Sequence, residues 1–417
     1  MEQEPGAVLS SPSDDDFGGL PAWAQRPLVM QIFAQAQALG GEARIVGGAV
    51  RDWLANHPVG DIDMAINLPI ETVAGHMVAC DMRVVETGLK HGTITLYDDD
   101  DQIELTQTRV DLETDGRHAI VVHDQDWARD AVRRDFTINA LYLDKSGGIF
   151  DPLDGKADLQ AGRLRFAGDA GLRVQEDALR MIRYCRFLPR FAAMGIDPQA
   201  EMALREHASL CTGLSGERVA NEMRRIMVGG RLKDVIGLMQ ETKIDQAALG
   251  LSLDPSRLAN DDDIEAMIAG LGANVDFAWL VNLAVAIPSG SAALLAKRLR
   301  LSRAEERCLT RLDLGLGDDD MTRLGGARWR QAAYYLGDMA ALLFAVQSWR
   351  DGHALDTLRL AELTVWTPPQ NPICGADLLS HGVDNGPVLG QMLKDAETLW
   401  VQSDFTLTKS ALLDAVI

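Results

Sequence analysis

At 417 residues, 47% of them hydrophobic and 24% charged, the chain is too long for one core and should divide into two to four domains of ordinary globular character. No apolar run approaches the roughly 20 residues that cross a bilayer, and the acidic, polar stretch Met1 to Gly19 does not read as a signal peptide. The net charge of −21 would argue against a nucleic-acid partner if it were spread evenly, but phosphate binding depends on local patches.

One such patch exists. Between Arg163 and Arg231 twelve arginines stand against eight acids, whereas the acidic excess lies in Asp14 to Asp16, Asp98 to Asp101, Asp261 to Asp263 and Asp318 to Asp320, which read as solvated loops. The five cysteines, Cys80, Cys185, Cys211, Cys308 and Cys374, are scattered and odd in number. Neither a disulfide framework nor a zinc site is expected, and they read as reduced thiols of a cytoplasmic protein with no disulfide-linked partner.

In chain order, residues 1–22 read as a disordered tail rich in Ser, Pro, Gly and Asp. An amphipathic helix follows from Leu28 to Leu39. Strands and helices then alternate: a strand at Ala43 to Val46, a helix at Ala49 to Asn56, a strand at Asp61 to Asn67, and a helix at Ile70 to Cys80 opened by Pro69. Strand signals continue at Arg83 to Glu86, Gly92 to Tyr97 and Gln102 to Arg109, with Asp98 to Asp101 as a hairpin turn. The mixed α/β part ends near Asp158. Beyond it the pattern is helical, as in Asp177 to Phe191, Glu217 to Val228, Ser291 to Leu299 and Arg303 to Leu312. The break at Thr367-Pro368-Pro369 sets off a last helical unit of about fifty residues.

Three clusters carry chemistry. In the first, Gly47-Gly48 follows the strand Ile45-Val46, and Arg51 and then Asp61-Ile62-Asp63 come next. A lone Gly-Gly is usually a turn and a lone Asp-x-Asp usually a solvated loop. Together they form a compact unit in which glycine lets backbone amides approach an anion, Arg51 offers a fork of donors, and two acids at i and i+2 share one face of a strand. That donor set suits Mg²⁺. Glu104, opposite Ile103 and Leu105, would be only a solvated strand position by itself. In the same sheet as Asp61 and Asp63 it could complete a carboxylate triad around two metals, suited to phosphoryl transfer.

The second cluster is Arg133-Arg134-Asp135-Phe136-Thr137-Ile138-Asn139. It reads either as a helix start or as a nucleotide-binding element, with Arg134 on phosphate and with Asp135 and Asn139 sharing a helix face toward a ribose. The third runs from Glu176 to Phe187. Arg180, Arg183 and Arg186 recur every third residue as a basic stripe, and such a stripe is often just a solvated face. Asp177 and Arg180 nevertheless make an i, i+3 pair able to mimic a base edge. Arg would donate to cytosine N3 and O2 or adenine N1, and the carboxylate would accept from the exocyclic amine. Guanine and uracil present the opposite pattern.

With these motifs in order, together with His91-Gly92-Thr93, Thr106 and Arg109, Asp151-Pro152, and Glu217-Arg218 with Glu222, the chain resembles class II tRNA nucleotidyltransferases, the CCA-adding enzymes, and the related bacterial poly(A) polymerases. The resemblance implies an α+β head, a nucleotidyltransferase mixed sheet with helices, over 23–158. It also implies an all-α neck (159–230), body (231–366) and tail (367–417), arranged as a curved molecule. Asp61 and Asp63 would hold two Mg²⁺ ions, with Glu104 the third catalytic residue. Gly47, Gly48 and Arg51 would meet the triphosphate of CTP or ATP, Asp177 and Arg180 would read its base, and Arg133, Arg134, Asp135, Asn139, Arg183 and Arg186 would support it.

The tRNA 3′ end would be the acceptor. Gln107 replaces the family's usual second Thr, and Ala178 stands where Pro or a larger residue is common. A loop from Val110 to His123, containing Asp115-Gly116-Arg117, resembles the element needed for terminal A addition, which favours complete CCA synthesis. No His-Asp phosphohydrolase motif is present. The competing readings are a poly(A) polymerase, a catalytically inactive RNA-binding scaffold, and a small-molecule nucleotidyltransferase.

Overall fold

The strands are short, and most are buried on both faces, with Gln102–Gln107 alone among the described residues alternating regularly between exposed and buried positions. In the computed structural model, which describes residues 19–89, 92–99, 101–114 and 119–417, they are β1 (Ala43–Val46), β2 (Asp63–Ile66), β3 (Arg83–Gly88), β4 (Thr93–Tyr97), β5 (Gln102–Gln107), β6 (Arg109–Thr114), β7 (Ala119–His123), β8 (Tyr142–Leu143) and β9 (Ile149–Phe150). Most of the 1–22 tail, His91 and Asp115-Gly116-Arg117 lie outside the described residues. Seven strands form one sheet in the order β3-β4-β5-β2-β1-β8-β9, and β6 and β7 pair separately. The β2–β5 pairing is parallel and its neighbours are antiparallel, so the sheet is mixed, as the α+β reading required.

One face of the sheet carries Ile45, Met64, Ile66, Ile94, Leu96, Ile103 and Leu105. It is buried under α1 (Pro27–Ala38), α2 (Gly48–Leu54) and α3 (Ile70–Ala79), which supply Leu28, Ile32, Val50, Val73 and Met77. Pro27 opens α1 at a position where the missing N–H costs nothing. At α3 the Gln107 side chain accepts the Ile70 N–H at 2.9 Å, satisfying one of the orphan donors of a helix start. The departure from Thr at 107 thus has a structural use. The other face is covered in part by α4 (Trp127–Val132), where Val46, Ala65, Trp127, Ala131, Ala140 and Tyr142 form a second core cluster.

The helices α5 (Gly155–Gln160), α6 (Ala170–Glu176), α7 (Leu179–Phe191) and α8 (Pro198–His207) follow. An aromatic ladder joins them to the preceding segment: Phe136 lies 5.4 Å from Phe166 and 5.2 Å from Phe187, and Phe187 stacks on Phe191 at 5.7 Å. Three details differ from the sequence reading. On either side of the undescribed residues 115–118, the Val110 to His123 segment forms the antiparallel strands β6 and β7, where the sequence suggested a loop. The two-residue strands β8 and β9 are too short for a periodic signal. The helix expected from Asp177 starts at Leu179, because Asp177 is extended (φ −149°, ψ 102°) and ends α6.

The chain forms two compact units, Met1–Leu214 with Glu241–Ala248, and Ser215–Gln240 with Leu249–Ile417. The regular elements among the second unit's described residues are all helices, with those at Gly216–Ile226, Ala292–Leu299 and Arg303–Leu314 close to their expected bounds. Ser302 and Glu305 form a capping box at the last of these, and Glu305 also accepts from Arg224 Nη2 at 2.8 Å. At its end, Leu378, Trp400 and Leu412 centre a separate small core.

Candidate active site

The register of the sheet lines up one row of residues on a single face. Val85, Thr95, Glu104, Asp63, Val46, Tyr142 and Phe150 are successive partners across β3, β4, β5, β2, β1, β8 and β9. Glu104 and Asp63 therefore stand side by side, about 5 Å apart by strand spacing. Asp61 precedes β2, and the alternation exposed, buried, exposed over Asp61-Ile62-Asp63 keeps the two aspartates on one side. Asp63 remains accessible to solvent, yet its carboxyl is pushed up to about 6. Desolvation contributes most, then the charge of Glu104, while Arg134 pulls the other way and Asp61 adds to the rise.

A carboxylate crowded by carboxylates is poised for a cation, and the all-oxygen donor set suits a hard one. Among the described residues no three acidic, histidine or cysteine side chains converge to cage an ion by themselves. Mg²⁺ in general takes one or two carboxylates and fills its other positions with water and phosphate oxygens. Glu104, adjacent to Asp63, falls short of a closed triad in this conformation.

The glycine turn lies at the end of β1, next to Asp63. Gly47 has φ 74° and ψ −122°, a conformation that only glycine adopts readily. Its own N–H is bonded to Leu141 O at 3.1 Å, so that amide is engaged within the fold. Two guanidinium groups flank the turn. A Cβ on Gly47 would lie 3.8 Å from Arg134 Nη1, and one on Gly48 would lie 3.8 Å from Arg51 Nη2.

Arg51 is only 7% exposed, in contrast to the open phosphate ligand that the sequence suggested. Its Nε and Nη2 bond Asp52, and its Nη1 donates to Asn139 Oδ1 at 2.6 Å. Its guanidinium carbon sits over the rings of Phe187 and Phe191 at 5.1 and 4.7 Å. Arg51 is thus a bracket beneath the turn, and burial lowers its pKa despite Asp52.

That bracket continues into a chain of polar contacts. Asn139 Nδ2 donates to Asp135 Oδ1 at 2.9 Å, and Asp135 Oδ2 accepts from Arg183 Nε and Nη2 at 2.8 and 2.5 Å. Burial alone would raise the Asp135 carboxyl. The Arg183 charge and the bonds from Asn139, Arg183 and the Phe136 N–H bring it below the usual range. The expected Asp135 and Asn139 contact is present, but a 3₁₀ turn over Thr137–Asn139 makes it rather than an α-helix. Gly155 packs so tightly against this turn that a Cβ there would lie 2.2 Å from Thr137 O. Asp158, also buried, accepts from Thr137 Oγ1 at 2.7 Å.

Arg180 is held by its neighbours: Nη1 donates to Glu176 Oε2 at 2.7 Å and to Arg173 O at 2.8 Å, and Nη2 to Arg133 O at 3.0 Å. Asp177 caps α7 by accepting the Leu179 N–H at 3.1 Å. Arg186 lies over Phe187 at 4.4 Å. The residues that sequence reasoning passed over are Asp130, Tyr142 and Arg173. Arg173 is buried and donates to the carbonyls of Arg133 and Arg134. The contacts that join them to the site, Tyr142 to Asp130 and Arg173 to the Arg133 carbonyl, span 12 and 40 residues and leave no mark in the local sequence.

A mixed sheet bearing paired acids beside a glycine turn, with an arginine-rich helical segment against it, defines the nucleotidyltransferase class. Residues 43–165 match the Poly A polymerase head domain, and residues 193–249 match the probable RNA and SrmB-binding site of polymerase A. The mitochondrial CCA tRNA nucleotidyltransferase 1 of Danio rerio is 33% identical over 386 residues, covering 90% of this chain and 87% of that protein. The CCA-adding enzyme of Levilactobacillus brevis is 30% identical over 407 residues, covering 93% and 96%. The chain belongs to the CCA tRNA nucleotidyltransferase family.

Among solved structures, the Bacillus stearothermophilus CCA-adding enzyme in complex with CTP superimposes with a TM-score of 0.71 at 23% identity, over 92% of this chain and 94% of that one. A CCA-adding enzyme in complex with ATP gives 0.70 at 19% identity, over 94% and 95%. These show the shared fold.

Proposed function

We propose that this chain adds C, C and A without a template to the 3′ end of tRNA, using CTP and ATP and releasing pyrophosphate. The observation that carries the reading is the Asp63–Glu104 row beside the glycine turn, in a chain similar to CCA tRNA nucleotidyltransferases over nine-tenths of its length. Asp61 and Asp63 would hold the metal, two Mg²⁺ ions in our reading, with Glu104 beside them. When bound, divalent ions make the acceptor hydroxyl more nucleophilic and neutralise charge developing on the phosphates.

The rest is positioning. The 3′-hydroxyl oxygen bonds to the α-phosphorus as the bond to the bridging oxygen of pyrophosphate breaks, and the hydroxyl proton is lost. Arg134, near the glycine turn, would balance triphosphate charge, with Arg51 backing the turn. Asp135 and Asn139 would meet the ribose, Arg133, Arg183 and Arg186 would support the nucleotide, and Asp177 with Arg180 would read the base. Arg180 now donates to Glu176 and to two carbonyls, so base reading exchanges a carbonyl for a base acceptor of similar strength.

All five cysteines are free, and among the described residues no helix is long and apolar enough to cross a membrane. We propose a cytoplasmic location, against the mitochondrial one in the name of the Danio rerio relative, and cell fractionation decides between them.

The test is incubation of purified protein with tRNA trimmed of its 3′ end and each labelled nucleotide. Two C additions followed by one A are expected. Tails of A alone would make the chain a poly(A) polymerase, and no incorporation would make it a scaffold. Binding of tRNA that does not depend on salt would point to a small-molecule substrate.

A further inference from the structure

Asp130 is fully buried on α4, 0% exposed, and carries three donors. Arg133 Nε donates to Oδ1 at 2.7 Å, while Arg134 Nη2 at 3.1 Å and the Tyr142 hydroxyl at 2.7 Å donate to Oδ2. The Tyr142 hydroxyl also accepts from Arg134 Nε at 3.0 Å, so Arg134, Asp130 and Tyr142 close a three-membered ring. The Arg134 guanidinium carbon lies 5.1 Å from the Tyr142 ring centre. An isolated carboxylate at such depth would be too costly to keep charged, and two arginines and a phenol make it tolerable.

The ring has a direction. Two of the three nitrogens of Arg134 are fixed, on different partners, so the plane of its guanidinium is set. Nη1 is the nitrogen on the side of Gly47. Tyr142 pairs with Val46, and Val46 pairs with Asp63, so the phenol stands on the same face as the acids, two strands away. The Tyr142 ring is itself clamped by Trp127, edge-on at 5.5 Å, and by Phe150, tilted at 6.0 Å. A long, flexible arginine side chain is thereby mounted on a rigid aromatic base and ordered before a ligand arrives, which lowers the entropy cost of binding.

We infer that Tyr142 and Asp130 are positioning residues that aim Arg134 at the triphosphate of the incoming nucleotide, so that they set nucleotide affinity equally for CTP and ATP and leave base selection alone. The inference rests on the nucleotide-transfer reading above. Tyr142→Phe keeps the ring, its packing and its contact with Arg134 while removing the hydroxyl that fixes Nε.

The experiment measures equilibrium binding of CTP and of ATP, each with Mg²⁺, to the full-length protein and to Tyr142→Phe, Arg134→Lys and the double variant, alongside steady-state kinetics on trimmed tRNA. Tyr142→Phe is expected to weaken both nucleotides by about fivefold, with kcat within about twofold of wild type and cytidine binding unchanged. In the Arg134→Lys background it should weaken them no further, since the phenol acts through the guanidinium. Unchanged Kd and KM, a loss confined to one nucleotide, or additive losses in the double variant would each overturn the inference. If wild-type protein binds both nucleotides with the expected pattern of variants yet leaves tRNA unextended, the positioning role stands and the proposed acceptor falls. If it binds neither nucleotide, both fall.

Discussion

Asp63 and Glu104 are direct partners on the parallel strands β2 and β5, two acids side by side on one face of the sheet. Asp63→Asn removes one of the crowded charges. It should cut nucleotide incorporation by about a hundredfold or more, the scale of several kcal/mol of charge stabilisation. The melting temperature without metal should hold or rise, because like-charge repulsion is relieved. A primer-extension gel and a thermal melt read the two effects, and a variant that keeps most of its activity would remove Asp63 from the metal site.

The same pair sets a pH dependence. The Asp63 carboxyl is pushed up to about 6, from an ordinary value of 3.8. The folded protein therefore binds more protons than the unfolded chain between about pH 4 and 6, and this group's contribution to stability declines as pH rises through that window. A divalent cation relieves the repulsion only once Asp63 is ionised. Addition of Mg²⁺ should raise the melting temperature more at pH 7.5 than at pH 5, and Asp63→Asn should flatten the difference. Equal shifts at both pH values would contradict this.

The Asp135–Arg183 pair has the opposite sign. Its carboxyl lies below the usual range, so its contribution is present above about pH 4 and disappears as acid protonates it in the folded state. Asp135→Asn removes the negative charge that Arg183 bonds through Nε and Nη2 and should cost about 3 kcal/mol at neutral pH. Urea melts of wild type and variant should converge as the pH falls below the ordinary carboxylate range and through the lowered value of the folded state. A gap that stays constant would mean the charge is irrelevant.

Gly155→Ala places a methyl 2.2 Å from the backbone oxygen of Thr137, so the Thr137–Asn139 turn has to shift. A loss of about 2 kcal/mol is expected from such overpacking, together with weaker nucleotide binding, since Asn139 joins Arg51 to Asp135. Gly75→Ala, in the interior of α3 with nothing within 4 Å, is the comparison: it should gain about 0.5 to 1 kcal/mol from helix propensity. Differential scanning calorimetry of both variants checks the contrast.

The alternating α/β start and the helical remainder were legible because each depends on local periodicity: Ile103, Glu104 and Leu105 alternate as a half-buried strand must. The pairing of β6 with β7 and the two-residue strands β8 and β9 were not, because short pairings are chosen by their partners. Arg51 shows the limit of motif reading. Its spacing from Gly48 suggested a phosphate fork, but Phe187 and Phe191, more than 130 residues later, supply the ring faces that hold it inward.

What the sequence determined by itself was the inventory: an Asp-x-Asp pair in an extended segment, a glycine pair after a strand, a run of arginines at helical spacing. Those are properties of neighbours along the chain. What only the tertiary structure decided was who stands beside whom. The β2–β5 register brings Glu104 to Asp63. The β1–β8 pairing brings Tyr142 under Arg134, and α7 brings Arg183 to Asp135. Such contacts join residues 8 to 48 positions apart, and no local periodicity encodes them, because strand order and helix docking are set by the burial of the whole core.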